Sequence, residues 1–344
     1  MHRTIVRAVC ALSALAVAAV ALSGCGQAAS GAATGNQEVT TLRYQGSVGA
    51  VTLPELAADL GYLGNVTLKW IGNTISGPQD IQAATTGDTD FGGAFNGAII
   101  KLIAHHAPVK AVVSYYGVDA LSYNGFYVLD GSPITSARDL IGKKVGMNTL
   151  GAHSEAVLRT YLRKGGLNED QIKQVTEVVV PPVNTEQSLR EHQIDVAVLG
   201  GTLRDKALAR GGIHPLFSDY GLLGTFSAGC YVFRTEFIKR NPDTVRTFVT
   251  GVAKAIEWTR TQPRATVIAE FDKILKARGR NENDAQLPYW KSYGIAGKGG
   301  LIADSEFQTW IDWLRADGEL TQTPKLADLF TNEYNPYRSG GSAS

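Results

Sequence analysis

The sequence predicts an α/β chain of two doubly wound lobes joined by a two-crossover hinge. Three observations predict it. Strand-like and helix-like stretches alternate from residue 41 to residue 210, in two series. The chain left after a short apolar leader, about 320 residues, exceeds what one hydrophobic core usually holds. An apolar stretch at 230–233 then stands far along the chain, placed to return as a strand to the first sheet. The division expected is a leader at 1–24, a tether at 25–39, one lobe from 40–125 and 228–336, a second lobe at 126–227, and a disordered tail at 337–344.

The leader comes first. Arg3 and Arg7 are basic, and residues 8–22 carry no charge. At ~1.5 Å per residue that run spans ~23 Å as a helix, short of the ~30 Å hydrocarbon core. It reads as a secretory apolar region rather than a permanent span. It ends in Leu22-Ser23-Gly24-Cys25, which resembles the bacterial lipoprotein signal. That resemblance implies a diacylglycerol on Cys25, held in the bilayer at ~0.8 kcal/mol per buried methylene. It places the protein on the outer face of a bacterial cytoplasmic membrane. Of three cysteines, Cys10 leaves with the leader and Cys25 carries lipid. Cys230 remains, inside an apolar run, as a small buried residue. No intramolecular disulfide and no cysteine-type metal site is possible. The formal charge is +1 with no dense Lys/Arg block, so nucleic acid is not an expected partner.

After the tether, a strand is expected at 41–44. A helix over 54–60 follows, with Thr52 as N-cap, Pro54 in its first turn and Gly61 as its stop. A strand at 66–70, a helix over 78–86, a strand at 90–93, a helix over 96–104 and strands at 109–115 and 125–129 complete the first series. The second has a helical turn at 133–140, strands at 144–147, 177–180 and 195–199, and helices over 154–165, 185–191 and 203–210. Mostly parallel sheets covered on both faces follow from this order. Beyond residue 237 the chain is largely helical, over 242–260, 263–277, 304–317 and 323–330. The stripe Trp258, Val267, Phe271, Ile274, Trp310 and Trp313 reads as core and lobe packing. The crossovers near 125–129 and 224–231 are the expected hinge.

In open α/β sheets ligands sit beyond the carboxyl ends of the strands. Small and polar residues occupy those places here. The first lobe offers Gln45, Ser47 and Ala50, then Trp70, Asn73, Ser76 and Gly77, then Asn96. The second offers Asn148, Gly151, Ala152, His153 and Ser154, then Gly201 and Thr202. Glycines allow close backbone approach, and helix starts offer free N–H groups with partial positive charge, which suits an anion. Trp70 has two readings, a wall around an organic tail or sheet core. Glu155 either turns to solvent or meets a cationic or neutral ligand. Arg204 and His153 are counter-charges or lie on a solvated helix face. The chain has no G-x-x-x-x-G-K-[ST] loop, no G-x-S-x-G elbow and no H-E-x-x-H pair. His105 and His106 are adjacent on a helix and point to different sides, which makes a poor metal pair. No catalytic residue, metal or cofactor is expected.

Four segments carry a family resemblance: LPELAADLGYL over 53–63, GPQDIQA over 77–83 with GDTDFG over 87–92, DLIGKKVG over 139–146, and EFIKRNPDTV over 236–245. In this order, across roughly 41–336, they resemble the substrate-binding proteins of ABC importers of the aliphatic sulfonate, taurine and nitrate type, the SsuA/THI5-like or NMT1-like group. The resemblance implies a type II periplasmic-binding-protein fold and a cleft that closes on a small organic anion, an aliphatic sulfonate or taurine-like molecule. It implies an ABC permease with its cytoplasmic ATPase as partner, and a monomer. Alternatives on the same fold are nitrate, a pyrimidine, another aromatic or an amine as ligand, or a non-transport sensor lipoprotein. An enzyme is the remaining alternative. The family's pyrimidine-synthase branch uses a cysteine cluster that this chain lacks. Sulfonate-type members often carry tryptophan and proline where this chain has GGTLR over 200–204, which alters the pocket wall.

Overall fold

A computed structural model describes residues 37–280 and 282–338. The expected leader, Cys25, most of the tether and the tail beyond Arg338 lie outside those residues.

The first lobe opens with β1 (Thr41–Gly46), α1 (Leu53–Asp59) and β2 (Thr67–Asn73). The two strands pair in parallel, with a register slip after Tyr44. Thr52 and Glu55 form a capping box that satisfies N–H groups at both ends of the first turn of α1. α2 (Gly77–Thr86) starts on Ser76, whose hydroxyl accepts the N–H of Gln79, and stops at Gly87, whose φ is +88°. β3 (Phe91–Phe95), α3 (Asn96–Ala104) and β4 (Val109–Val118) follow. Gly92 matters to this packing. A Cβ there would collide with the carbonyl of Asp80, so its absence lets α2 lie directly on β3.

The chain then crosses to β5 (Asn124–Leu129) and the second lobe. β6 (Lys144–Met147), α4 (His153–Lys164), the short α5 (Glu169–Ile172), β7 (Thr176–Val179) and α6 (Pro182–Arg190) come next. β8 (Val196–Gly200), α7 (Gly201–Arg210), β9 (Ile213–Ser218) and α8 (Asp219–Leu223) complete it. The strands form one sheet in the order β7-β6-β8-β5-β9. β5 runs antiparallel to both neighbours, so it belongs wholly to this sheet and not to the first series of strands. β9 had no sequence counterpart because Pro215 interrupts it. The strand sits at the sheet edge and pairs only with β5, where a missing N–H is tolerated.

β10 (Phe226–Arg234) returns to the first lobe and lies antiparallel between β3 and β4. β2 and β1 continue the layer beside β3, where the N–H of Asp90 donates to the carbonyl of Arg43 at 2.9 Å. α9 (Thr235–Arg240), α10 (Pro242–Thr261), α11 (Arg264–Ala277), α12 (Asp304–Ala316) and the four-residue α13 (Leu326–Leu329) close the chain. The crossovers are therefore residues 119–123, just before the first stretch where the sequence suggested a hinge, and residues 224–225, at the start of the second. Residues 133–140 form only a 3-10 turn at Arg138–Leu140.

Alternation along the strands sends side chains into two apolar clusters per lobe. Tyr231 and Phe233 of β10 enter one, and Cys230 and Val232 enter the other. Phe126 and Tyr127 of β5 divide in the same way. Phe91 packs against Phe248 at 4.6 Å and edge-on to Tyr231 at 5.5 Å. Full burial of each such ring contributes about 1.5–3 kcal/mol. Val267, Phe271, Ile274, Trp310 and Trp313 are buried, and Trp258 packs partly exposed against the same core. At the N-terminal end, Glu38 accepts N–H bonds from Asp243 and Thr244 at the start of α10, so residues 38 and 39 are docked rather than free.

Candidate functional site

The lobes face each other across two adjoining cavities of about 350 and 390 Å³. Both are lined by Gly77 and Tyr115 of the first lobe and by Asn148, Pro182 and Leu203 of the second. Each wall is therefore built by both lobes, at the carboxyl ends of β2, β4, β6, β7 and β8. That is where an open sheet places ligands.

The first cavity adds Phe95 and Tyr116 from one lobe and Ala152, His153, Ser154 and Leu199 from the other. The second adds Gln45, Ser47, Ser76, Asp80, Gly93 and Tyr231, with Gln286 from the segment after α11. Of the residues expected at a ligand site, Gln45, Ser47, Ser76, Gly77, Asn148, Ala152, His153 and Ser154 thus meet in one cleft. Seven others lie off its walls. Ala50 and Asn73 are exposed on the first lobe. Trp70 is 41 % exposed, donates to Asn73 and lies under the Arg280 guanidinium at 4.3 Å, so it is neither sheet core nor cleft wall. Asn96 is fully buried and donates to the carbonyl of Glu306 at 3.2 Å, tying α3 to α12. Gly151 gives its N–H to Glu155. Gly201 starts α7, and Thr202 faces Gln286 across the lobes at 3.2 Å.

Of three ionisable groups raised by the sequence, two turn out to be structural and the third lines the cleft. Glu155 neither faces solvent nor lines either cavity: it is buried, accepts the Gly151 N–H and pairs with Arg159 at 2.8 Å. Arg204 is buried against Asp205, stacks on Tyr123 at 3.8 Å and donates to the carbonyls of Leu121 and Tyr123. It pins the first crossover. His153 is the one that reaches the cleft, and burial pulls its imidazole down to about 4. Its Nε2 stands 3.3 Å from Asp219 without hydrogen-bond geometry, so burial prevails and the ring is neutral near pH 7. It cannot balance an anion.

Several lining residues were missed at the sequence level. Tyr115 and Tyr116 end β4, and Tyr231 stacks on Tyr115 at 4.3 Å. Gly93 makes room for that pair, since a Cβ there would stand 2.8 Å from the Tyr115 ring. Asp80 was hidden in an ordinary helix. Its Oδ2 accepts the Gly93 N–H at 2.7 Å, its Oδ1 has no partner among the described residues, and burial pushes its carboxyl up to about 7. The available signal was a carboxylate beside Ile81 and four positions before Ala84, on the face that α2 buries.

The two-lobed chain has the periplasmic-binding-protein fold. The chain belongs to the NMT1/THI5-like family, whose model matches residues 57–266, more than half its length. Among solved structures it is similar to the periplasmic aliphatic sulphonate binding protein SsuA from Escherichia coli, at 19 % identity and TM-score 0.63, over 85 % of this chain and 92 % of that one. It is similar to the alkanesulfonate-binding protein SsuA from Xanthomonas axonopodis pv. citri bound to MOPS, at 18 % identity and TM-score 0.68, over 86 % and 99 %. It is also similar to the periplasmic nitrate-binding protein NrtA from Synechocystis PCC 6803, at 14 % identity and TM-score 0.64, over 86 % and 87 %. No curated protein matches the sequence.

Proposed function

We propose that this protein is the extracytoplasmic solute-binding component of an ABC importer, and that it captures a small molecule in the interlobe cleft. One observation carries the reading: the two cavities are each walled by both lobes, so a guest that fills them stabilises the closed form by its differential affinity for it. The crossovers at 119–123 and 224–225 are the hinge of that motion. A lipid on Cys25 holds the protein at the outer face of the membrane, the closed form docks as a monomer on a permease, and a separate ATPase supplies hydrolysis. The resemblance to sulfonate binders supports an aliphatic sulfonate or taurine-like ligand. The side chains of the cleft favour another ligand class, argued in the next subsection.

Catalysis has less support. Burial pushes the Cys230 thiol well above its ordinary range, away from nucleophilic character. His153 approaches no hydroxyl or thiol nucleophile among the described residues.

Leu203 lines both cavities, so Leu203→Trp tests the reading directly. Titration calorimetry against a panel of sulfonates, nitrate, carboxylates and amines is expected to show binding to the soluble form from Gln27. The variant is expected to lose at least tenfold in affinity at unchanged melting temperature. Unaltered affinity in the variant would remove the cleft from the account. Cys25→Ser in the full chain is expected to release the protein into the medium of expressing cells, and retention with the membrane would refute the anchor.

A further inference from the structure

On the reading of the cleft as a solute site, its side chains specify more than a cavity. Two buried acceptors on the second cavity have no donor among the described residues. Asp80 is 7 % exposed and its Oδ1 is unpaired, and the side-chain Oε1 of Gln45 on the same wall is unpaired too. A buried polar atom without a partner is costly, and a buried carboxylate more so. Among the described residues, those lining the two cavities include no lysine and no arginine. The cations behind the β1 loop are already matched: Arg278 and Arg280 pair with Glu55, and Arg278 also with Glu282.

Three of the helix starts that face the cleft are likewise poor anion sites, while α7 opens on Gly200 without a side-chain cap. α2 has Pro78 in its first turn and spends the Gln79 N–H on Ser76. α6 opens on Pro181 and Pro182, which have no N–H to give. α4 carries its own anion, Glu155, on the Gly151 N–H at its start. Against this lack of cationic side chains, in a lining that does carry hydroxyl and amide donors, stands an aromatic wall. Tyr115 and Tyr116 meet edge to face at 4.9 Å, and Phe95 stacks on the neutral His153 at 5.4 Å.

We propose that the cleft takes a planar aromatic cation rather than an organic anion, its N–H groups donating to Oδ1 of Asp80 and Oε1 of Gln45 and its ring lying against Tyr115 and Tyr116. A charge-assisted N–H bond to a carboxylate satisfies the orphaned oxygen. The ring faces add cation–π attraction. Cavities of this size admit a ring of one or two cycles.

Two monocyclic aromatics of opposite charge decide the matter. Calorimetry at pH 7.5 would compare benzamidine with benzenesulfonate on the wild-type protein and on Asp80→Asn, with an alkanesulfonate and nitrate alongside. The expected result is benzamidine binding at least tenfold tighter than benzenesulfonate, and a loss of at least tenfold for benzamidine in Asp80→Asn. Thermal melting of the ligand-free variant checks that it is folded. A second readout is independent of that variant. The titratable groups facing Asp80 are the hydroxyls of Tyr115 and Tyr231, both pushed far up by burial and so neutral. Benzamidine binding at pH 7 is therefore expected to release protons from Asp80, seen as a dependence of the binding heat on buffer ionisation enthalpy. Benzenesulfonate binding as tightly as benzamidine overturns the cation while leaving solute capture intact. Binding of neither ring also overturns it. If the alkanesulfonate and nitrate fail as well, the capture reading falls with it.

Discussion

Asp80 and His153 face the same cleft and titrate in opposite senses. The Asp80 carboxyl lies near 7 in the folded protein and near 3.8 in an unfolded chain, so the fold binds its proton more tightly. Its contribution to stability is complete at low pH and is lost as pH rises through about 7. His153 is held near 4 against about 6.5 unfolded, so its contribution is complete above 6.5 and is lost as pH falls towards 4. Asp80→Asn is therefore expected to flatten the decline in melting temperature between about pH 4 and pH 7. His153→Gln is expected to flatten the loss between pH 6.5 and pH 4. Melting curves that move in parallel with wild type across both ranges would show that neither group is perturbed as described. Both residues stand in the sequence as ordinary polar positions. The solvent shielding that shifts them comes from side chains distant along the chain.

The elements explain why the cleft residues point where they do. α2 reaches β3 because Gly92 has no side chain, and this contact places the Asp80 carboxylate on the Gly93 N–H. Gly92→Ala is expected to destabilise the protein by about 1–3 kcal/mol, as overpacking against backbone does, and to weaken ligand binding along with it. Urea unfolding with an unchanged midpoint would contradict the contact. Helix caps and strand alternation made α1, α2, α3 and α7 legible from the sequence to within two residues or so. β9 was not legible, because Pro215 is a breaker in isolation and is acceptable only at a sheet edge. Asn96 was misplaced for a related reason. A polar residue opening a helix after a strand looks like a ligand contact until α12 covers it.

Across the whole molecule the lobes are bridged by ion pairs as well as by the chain. Asp317, at the end of α12, lies between Arg159 at 3.6 Å and Arg163, both on α4 of the other lobe. Lys291 meets Asp205 of α7 at 2.9 Å, again across the division between lobes. Asp317→Asn keeps the shape and removes the charge. A change of about 1 kcal/mol shifts the ratio of open to closed molecules roughly fivefold. Small-angle scattering is expected to show a larger radius of gyration for the ligand-free variant than for wild type, and the difference is expected to shrink at high salt. Identical radii would mean that the bridge does not bias closure.

The division between what was readable in the chain and what was not follows the range of the forces. Periodicity, caps and glycine stops act within a few residues, so the chain alone made legible the α/β class, the two series of elements, the return of residues 230–233 to the first sheet, and cleft positions for about half of the residues expected there. Charge state and exposure depend on neighbours that folding brings in from far along the chain. Folding alone settles that Arg204 and Glu155 are structural, that His153 is neutral, and that Asp80 and three tyrosines line the cleft.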